Sequence, residues 1–239
     1  MTVTEEHPIS IRAHAVLFDL DGTLVDSTNA IVAHWTRFGH ENGIPPERIL
    51  ATSHGRRLID TLLEHTPHLA SDTIANELES NLPKEFGDRC QSILGAPEIV
   101  QRLDKVFPDD RRWGIVTSGT SSLASQWLDM FGMPIPDVFI TAEKVGRGKP
   151  DPEGYVLGRR LLGADQSLGK KAIVFEDAPA GIRAGKAAGA VVIGIASTHS
   201  KAEVLDAGAD FVVTDLSQIE VVREPADSDD FVIRILRQA

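Results

Sequence analysis

The sequence predicts an α/β fold, a parallel-sheet core carrying a small all-helical cap domain. Three observations lead there. Short, wholly apolar runs recur along the chain and stop at turn residues, helical patterns separate these runs, and one stretch from Asn29 to Cys90 is helical throughout with no convincing strand. Strands alternating with helices build a mainly parallel sheet, and a helical insert after the first strand of such a sheet reads as a lid. The expected boundaries are 1–28 with 91–239 for the core and 29–90 for the cap.

The first apolar run is Ala15-Val16-Leu17-Phe18, ending at Asp19-Leu20-Asp21-Gly22-Thr23. A run with no polar alternation suits a strand buried on both faces. Trp113 to Val116, Ala172 to Phe175, Val191 to Ile195 and the shorter Phe211 to Val213 repeat the pattern. Between them, Ser121 or Ser122 can cap a helix bearing Leu123, Trp127, Met130 and Phe131, closed by Gly132 and Pro134. Asp151-Pro152 opens a helix carrying Leu157, Leu161 and Leu162. Ala180 to Gly189 is helical in rhythm but made of small residues, which suits close packing on a sheet.

In the insert, Ala30, Ile31, Trp35 and Phe38 mark one helical face, Leu58, Leu62 and Leu63 a second, and Ile74, Leu78 and Leu82 a third. His34 lies near the first face and reads as packed or surface rather than catalytic, and Trp35 and Phe38 read as cap core. The tail carries two β-like runs, Ile219 to Val222 and Phe231 to Ile235, around Pro225 to Asp229. They read as a hairpin added to the sheet edge.

Composition narrows the function. The chain has 239 residues, 42% of them apolar, enough for a sizeable core. A net charge of −11 without a dense Lys/Arg run argues against nucleic acid or an anionic membrane as partner. Cys90 is the single cysteine, so neither an intrachain disulfide nor a cysteine zinc cluster can form. Met1 to Ser10 carries acidic residues and no apolar run, and no stretch reaches the length of a membrane span. A cytoplasmic protein is expected.

Open parallel sheets bind ligands beyond the carboxyl ends of their strands. The first strand delivers Asp19 and Asp21 there, the next Thr117 and Ser118, the segment after Ile140 delivers Lys149, and the next strand Glu176 and Asp177. Clustered carboxylates without His or Cys favour a hard cation such as Mg²⁺. Hydroxyls, amides at a helix start and an ammonium suit a phosphate. Together they suit phosphoryl transfer, where positioning and charge neutralisation dominate. Asp19 and Asp21 are two residues apart and point the same way from an extended segment. One can attack phosphorus while the other protonates the leaving oxygen and then activates water. Each residue also has a plainer explanation. Asp-x-Asp-Gly is a common turn, Lys149 could be a solvated loop lysine, and Thr117 could merely cap a helix.

Phe18 to Thr23, Val116-Thr117-Ser118, Gly148 to Pro152 and Phe175 to Gly181 occur in the order of the four signature motifs of the haloacid-dehalogenase superfamily, which this chain resembles over nearly its whole length. The match is to the phosphatase branch with a small helical cap. Ser53 to Arg57, Ala178 to Gly189 and Phe139 to Ala142 further resemble the glycerol-phosphate and 2-deoxyglucose-6-phosphate phosphatases. The resemblance implies a Rossmann-like core. It implies Asp19 as nucleophile and metal ligand, and Asp21 as acid/base with its backbone carbonyl on the metal. Thr117 and the Ser118 amide would cradle the phosphate, with Lys149 neutralising it. Asp177 would ligate the metal, and Glu176 would reach it directly or through water. Asp21 argues against carbon–halogen chemistry, because the dehalogenases lack it.

The cap turn His54-Gly55-Arg56-Arg57 would contact the substrate, with Arg57 the first choice and His54 the second, unless it is simply a basic surface loop. The expected activity is Mg²⁺-dependent hydrolysis of small phosphorylated metabolites, glycerol phosphate first and a sugar phosphate such as 2-deoxyglucose 6-phosphate second. A monomer or weak dimer is expected. The alternative is a β-phosphoglucomutase-like phosphosugar mutase. Such mutases carry a cap-helix His twelve residues after the nucleophile, where this chain has Ile31. A non-catalytic binding protein would be favoured by a lost motif residue, and none is lost.

Overall fold

The computed structural model describes residues 8–107, 112–164, 169–223 and 230–239. In chain order the strands are β1 (Ile9–Ala13), β2 (Ala15–Phe18), β3 (Val25–Asp26), β4 (Gln91–Ser92), β5 (Trp113–Val116), β6 (Val138–Ile140), β7 (Ala172–Glu176), β8 (Val191–Ile195), β9 (Phe211–Val213), β10 (Ile219–Arg223) and β11 (Phe231–Ile235). The helices are α1 (Thr28–Asn42), α2 (Pro46–Ser53), α3 (Leu58–His65), α4 (Asp72–Phe86), α5 (Ala96–Val106), α6 (Ser121–Met130), α7 (Glu153–Leu161), α8 (Pro179–Ala187) and α9 (Lys201–Asp206).

Six strands form one parallel sheet in the order β6-β5-β2-β7-β8-β9. All four residues of β2 are buried because both sheet faces are covered. Val16 and Phe18 enter a core with Trp113, Trp127 and Phe231, while Leu17 enters the opposite core with Val174, Tyr155 and Ile182. Phe18 stacks on Phe175 of the neighbouring strand, ring centroids 4.9 Å apart. The small residues of α8 do bring it close. A Cβ on Gly185 would lie 3.0 Å from Val192 and 3.2 Å from Val174.

The tail departs from expectation. β10 and β11 form a hairpin, but it does not extend the parallel sheet. It pairs with β1 in a separate three-stranded antiparallel sheet, Ile9 opposite Ile235 and Ala13 opposite Phe231. Phe231, Ile233 and Ile235 alternate with less buried residues, so one face joins the core. β1 itself, Ile-Ser-Ile-Arg-Ala, escapes a search for continuous apolar runs because it too alternates. The turn at Pro225 to Asp229 lies outside the described residues, as does Met1 to His7. β6, a three-residue edge strand, is a further element beyond the five expected. α6 is capped by Thr120, one residue before the expected serines. Its hydroxyl accepts the Leu123 amide, and Met130 at the other end is exposed.

The helical stretch α1 to α4 leaves the sheet through β3 and returns through β4. These two short strands pair, Val25 with Ser92 and Asp26 with Gln91. The helices gather their own apolar cluster from Trp35, Phe38, Ile49, Leu58, Leu62 and Ala75. No helix among the described residues is long and apolar enough to cross a membrane.

Candidate active site

The parallel strands end on one edge, and the motif residues converge there. Asp19 follows β2 directly, with its amide donating to the Phe175 carbonyl at 3.0 Å. Gly22 then takes φ +87°, a left-handed turn that a side chain would strain. A Cβ there would also lie 2.5 Å from the Asp177 carboxyl carbon. Glycine is therefore needed twice over, for the turn and for the close approach of the two acidic loops.

Lys149 is buried, and its ammonium donates to Asp19 Oδ1 and, at 2.7 Å, to Glu176 Oε1. Tyr155, one turn into α7, donates its hydroxyl to the same Glu176 oxygen at 2.9 Å, and its ring lies 5.1 Å from the ammonium. The other Glu176 oxygen accepts the amides of Asp177 and Ala178 at 3.0 and 3.1 Å. Gly181 leaves room for this carboxylate, because a Cβ there would overlap it, lying 2.6 Å from Oε2 and closer still to the rest.

Asp177 is fully buried and accepts from Thr198, and from Thr23 at 3.3 Å. Ser197 donates to the Gly22 carbonyl at 2.5 Å. The end of β8 thus ties the acidic loops together. Asp19, Glu176 and Asp177 each place a carboxylate oxygen within 4.8 Å of the others. Three carboxylates against one ammonium leave two negative charges, the complement of a divalent cation, and an all-oxygen donor set suits a hard ion.

Burial pushes the Asp19 carboxyl well above its ordinary range, with Lys149 pulling the other way. Burial and the neighbouring Glu176 raise Asp177 to about 8. Burial alone would lower the Lys149 ammonium, but Asp19 and Glu176 outweigh it and hold the group above its usual value. Desolvation raises Asp21 too, against a 2.6 Å hydrogen bond from Ser27. Asp21 therefore stands apart from the three-carboxylate cluster, with its side chain held toward α1.

Asp19, Asp21, Thr117, Ser118, His54 and Arg56 all line one cavity of about 70 Å³. Thr117 is buried, and its hydroxyl accepts the Gly119 amide at 3.0 Å. Ser118 reaches across to the helical segment and donates to the Gly55 carbonyl at 2.8 Å. Gly55, at φ +71°, sits so close that a Cβ would lie 2.8 Å from that of Ala178. Arg57 is placed elsewhere. Its guanidinium is clamped by both Asp60 oxygens at 2.8 and 2.9 Å and donates to the Val145 carbonyl at 3.0 Å, outside the residues lining this cavity. Arg56 pairs with Glu64 at 2.6 Å, and the His54 ring meets that of His199 at 5.5 Å.

Sequence reasoning passed over Tyr155 and Thr198. Tyr155 carried one signal, being the chain's only tyrosine and six residues beyond Lys149. Thr198 carries a signal too, lying three residues beyond the apolar run Val191 to Ile195 on the same sheet edge.

Comparison with known proteins agrees with this arrangement. Residues 13–189 match the family model of the haloacid dehalogenase-like hydrolases. The chain is 43% identical over 227 residues to 2-deoxyglucose-6-phosphate phosphatase 1 of Saccharomyces cerevisiae, covering 88% of this chain and 91% of that protein. It is 38% identical over 228 residues to glycerol-1-phosphate phosphohydrolase 2 of the same yeast, covering 93% and 90%. Among solved structures, a hydrolase from Pseudomonas syringae superposes with a TM-score of 0.71 at 26% identity, covering 85% of this chain and 94% of that one. On its motifs, its sheet and these relatives, the chain belongs to the haloacid dehalogenase-like hydrolases.

Proposed function

We propose that this protein is a divalent-cation-dependent phosphomonoesterase acting on small phosphorylated polyols or sugars, with glycerol phosphate ranked first. The observation that carries the reading is the buried group of Asp19, Glu176 and Asp177 around the Lys149 ammonium, with Asp19 also lining a cavity that holds Asp21. The names of the yeast relatives support the substrate class.

In this reading Asp19 attacks phosphorus, and the bond from phosphorus to the ester oxygen breaks. The leaving oxygen takes the proton of Asp21, which a raised carboxyl is suited to carry. Asp21 then takes a proton from water, whose oxygen attacks phosphorus and releases Asp19 and inorganic phosphate. Lys149 holds Asp19 and faces the anion, and Thr117 with the Ser118 amide cradles its oxygens. Asp19, Asp177 and the Asp21 backbone carbonyl would hold the cation, Mg²⁺ by preference. When bound it would offset the phosphoryl charge. Glu176 already accepts four hydrogen bonds, so its role is to position Lys149, with any contact to the cation made through water.

Residues 29–90 act as a cap on a core of 1–28 and 91–239, a division supported by the paired strands at the crossing and the separate apolar cluster. His54 and Arg56 face the substrate from the cap, while Arg57 braces the cap turn against the Val145 loop. A cytoplasmic setting suits a chain whose Cys90 is unpaired.

The test is phosphate release from a panel of phosphorylated metabolites with Mg²⁺. Turnover should vanish with EDTA and with Asp19→Asn, and Asp21→Asn should lower kcat by about 10²–10⁴-fold on alkyl phosphates. An Asp19→Asn protein that keeps full activity overturns the reading. Conversion of glucose 1-phosphate to glucose 6-phosphate with a bisphosphate activator would point to a mutase instead.

A further inference from the structure

The cavity that holds Asp19 and Asp21 continues into the helical segment, where its wall contains polar groups that the reaction does not use. His34 on α1 and Ser53 at the end of α2 both line it. Each is at least nine-tenths buried, His34 at 2% exposure and Ser53 at 6%. Neither ring nitrogen of His34, nor the Ser53 hydroxyl oxygen, has a hydrogen-bond partner among the described residues. Leaving such groups unpaired forfeits the hydrogen bonds they would make to water. Native cores rarely tolerate this without a reason.

The rest of the wall is consistent with a ligand. Ile31, Trp35 and Leu58 supply apolar surface around the polar pair. The His34 ring is fixed against Trp35 and Phe38, at centroid distances of 5.0 and 6.4 Å. Its orientation is therefore set before anything binds. Burial lowers its pKa to about 4, so at neutral pH one nitrogen donates and the other accepts. A hydroxyl group needs that same combination, as does Ser53. The cavity's volume of about 70 Å³ is room for about five water molecules, the scale of a short acyclic chain.

We propose that His34 and Ser53 form a hydroxyl-recognition subsite that selects acyclic polyol phosphates. This deepens the phosphatase reading and rests on it. The substrate's carbon-bound hydroxyls satisfy the imidazole and the serine while its phosphate lies against Asp19.

The experiment compares kcat/KM for glycerol phosphate with that for propyl phosphate, which has the same carbon chain and no free hydroxyl. The unsubstituted enzyme should prefer glycerol phosphate by at least about thirtyfold. His34→Leu and Ser53→Ala should each shrink that ratio about tenfold, or about 1.4 kcal/mol, with propyl phosphate turnover held within about threefold. His34→Leu should not lower the melting temperature, because it removes an unpaired polar group from an apolar wall. Equal losses on both substrates, or an unchanged ratio in both variants, overturn the subsite. If the unsubstituted enzyme hydrolyses sugar phosphates but neither of these, the subsite falls and the phosphatase reading stands; if it releases phosphate from no substrate of the wider panel, the phosphatase reading itself falls, and the subsite with it.

Discussion

Replacing Lys149 with methionine removes one charge from the site and little volume. Lys149 is 7% exposed, and its ammonium donates to two carboxylates, Asp19 and Glu176. Without it, Asp19, Glu176 and Asp177 face one another within 4.8 Å, and no other described residue supplies a cation bonded to them. Removing one partner of a buried ion pair costs about 3–5 kcal/mol. The Lys149→Met protein in EDTA should lose about that much unfolding free energy, measured by urea denaturation. Saturating Mg²⁺ should restore a large part of the loss, because a cation that binds only the folded state stabilises it. Catalysis should suffer separately. Two charge-assisted hydrogen bonds are worth about 1.5–3 kcal/mol each. If half of that total acts only in the transition state, kcat/KM falls about 10–100-fold, and if all of it does, about 10²–10⁴-fold. Activity within tenfold of the parent refutes the role given to Lys149. A stability in EDTA equal to the parent's refutes the claim that its ammonium compensates the acidic cluster.

Three further outcomes follow from the geometry. Gly181→Ala drives a methyl group into the Glu176 carboxylate, so Lys149 and Tyr155 lose their shared anchor, and kcat/KM should fall about 10²-fold or more in steady-state assays. Ser118→Ala keeps the backbone amide but removes the hydroxyl that donates to Gly55, so KM should rise about 2–10-fold with kcat nearly unchanged; a large fall in kcat alone would place the hydroxyl at the reacting group instead. Burial raises Glu79 from 4.5 to about 7, so between those values the unfolded chain releases a proton that the folded chain keeps. Stability therefore declines as pH rises through that window, by about 3 kcal/mol in total, and Glu79→Gln should remove this part of the pH dependence in urea titrations at pH 5 and 8.

The parts of the fold that could be read from the sequence share a physical cause. Ala15 to Phe18 and Ala172 to Phe175 are apolar at every position because both sheet faces are covered, the pattern expected of a central parallel strand. The carboxylates at their ends were legible for the same reason, since the strand fixes where the loop emerges. Ile9 to Ala13 and Phe231 to Ile235 alternate instead, and alternation says that one face is buried without saying against what. Their partnership depends on residues more than 200 positions apart meeting, as Ala13 does with Phe231 to close the ladder. His34 shows the other limit. Its packing beside Trp35 and Phe38 could be expected from the helical face, but that its nitrogens go unpaired beside a cavity depends on how several helices come together.

The antiparallel pairing of β1 with β11 has a consequence for how the molecule is made. The ribosome releases Ile9 to Ala13 more than 200 residues before their hydrogen-bonding neighbours. Until Phe231 to Ile235 emerge, the nascent chain holds an unpaired strand with one apolar face, the kind of edge that recruits other chains. Closing it joins segments made far apart in synthesis and seals the core beneath β10 and β11. A polypeptide truncated before Phe231 would leave that seam open, and aggregation rather than a missing catalytic group would limit its yield.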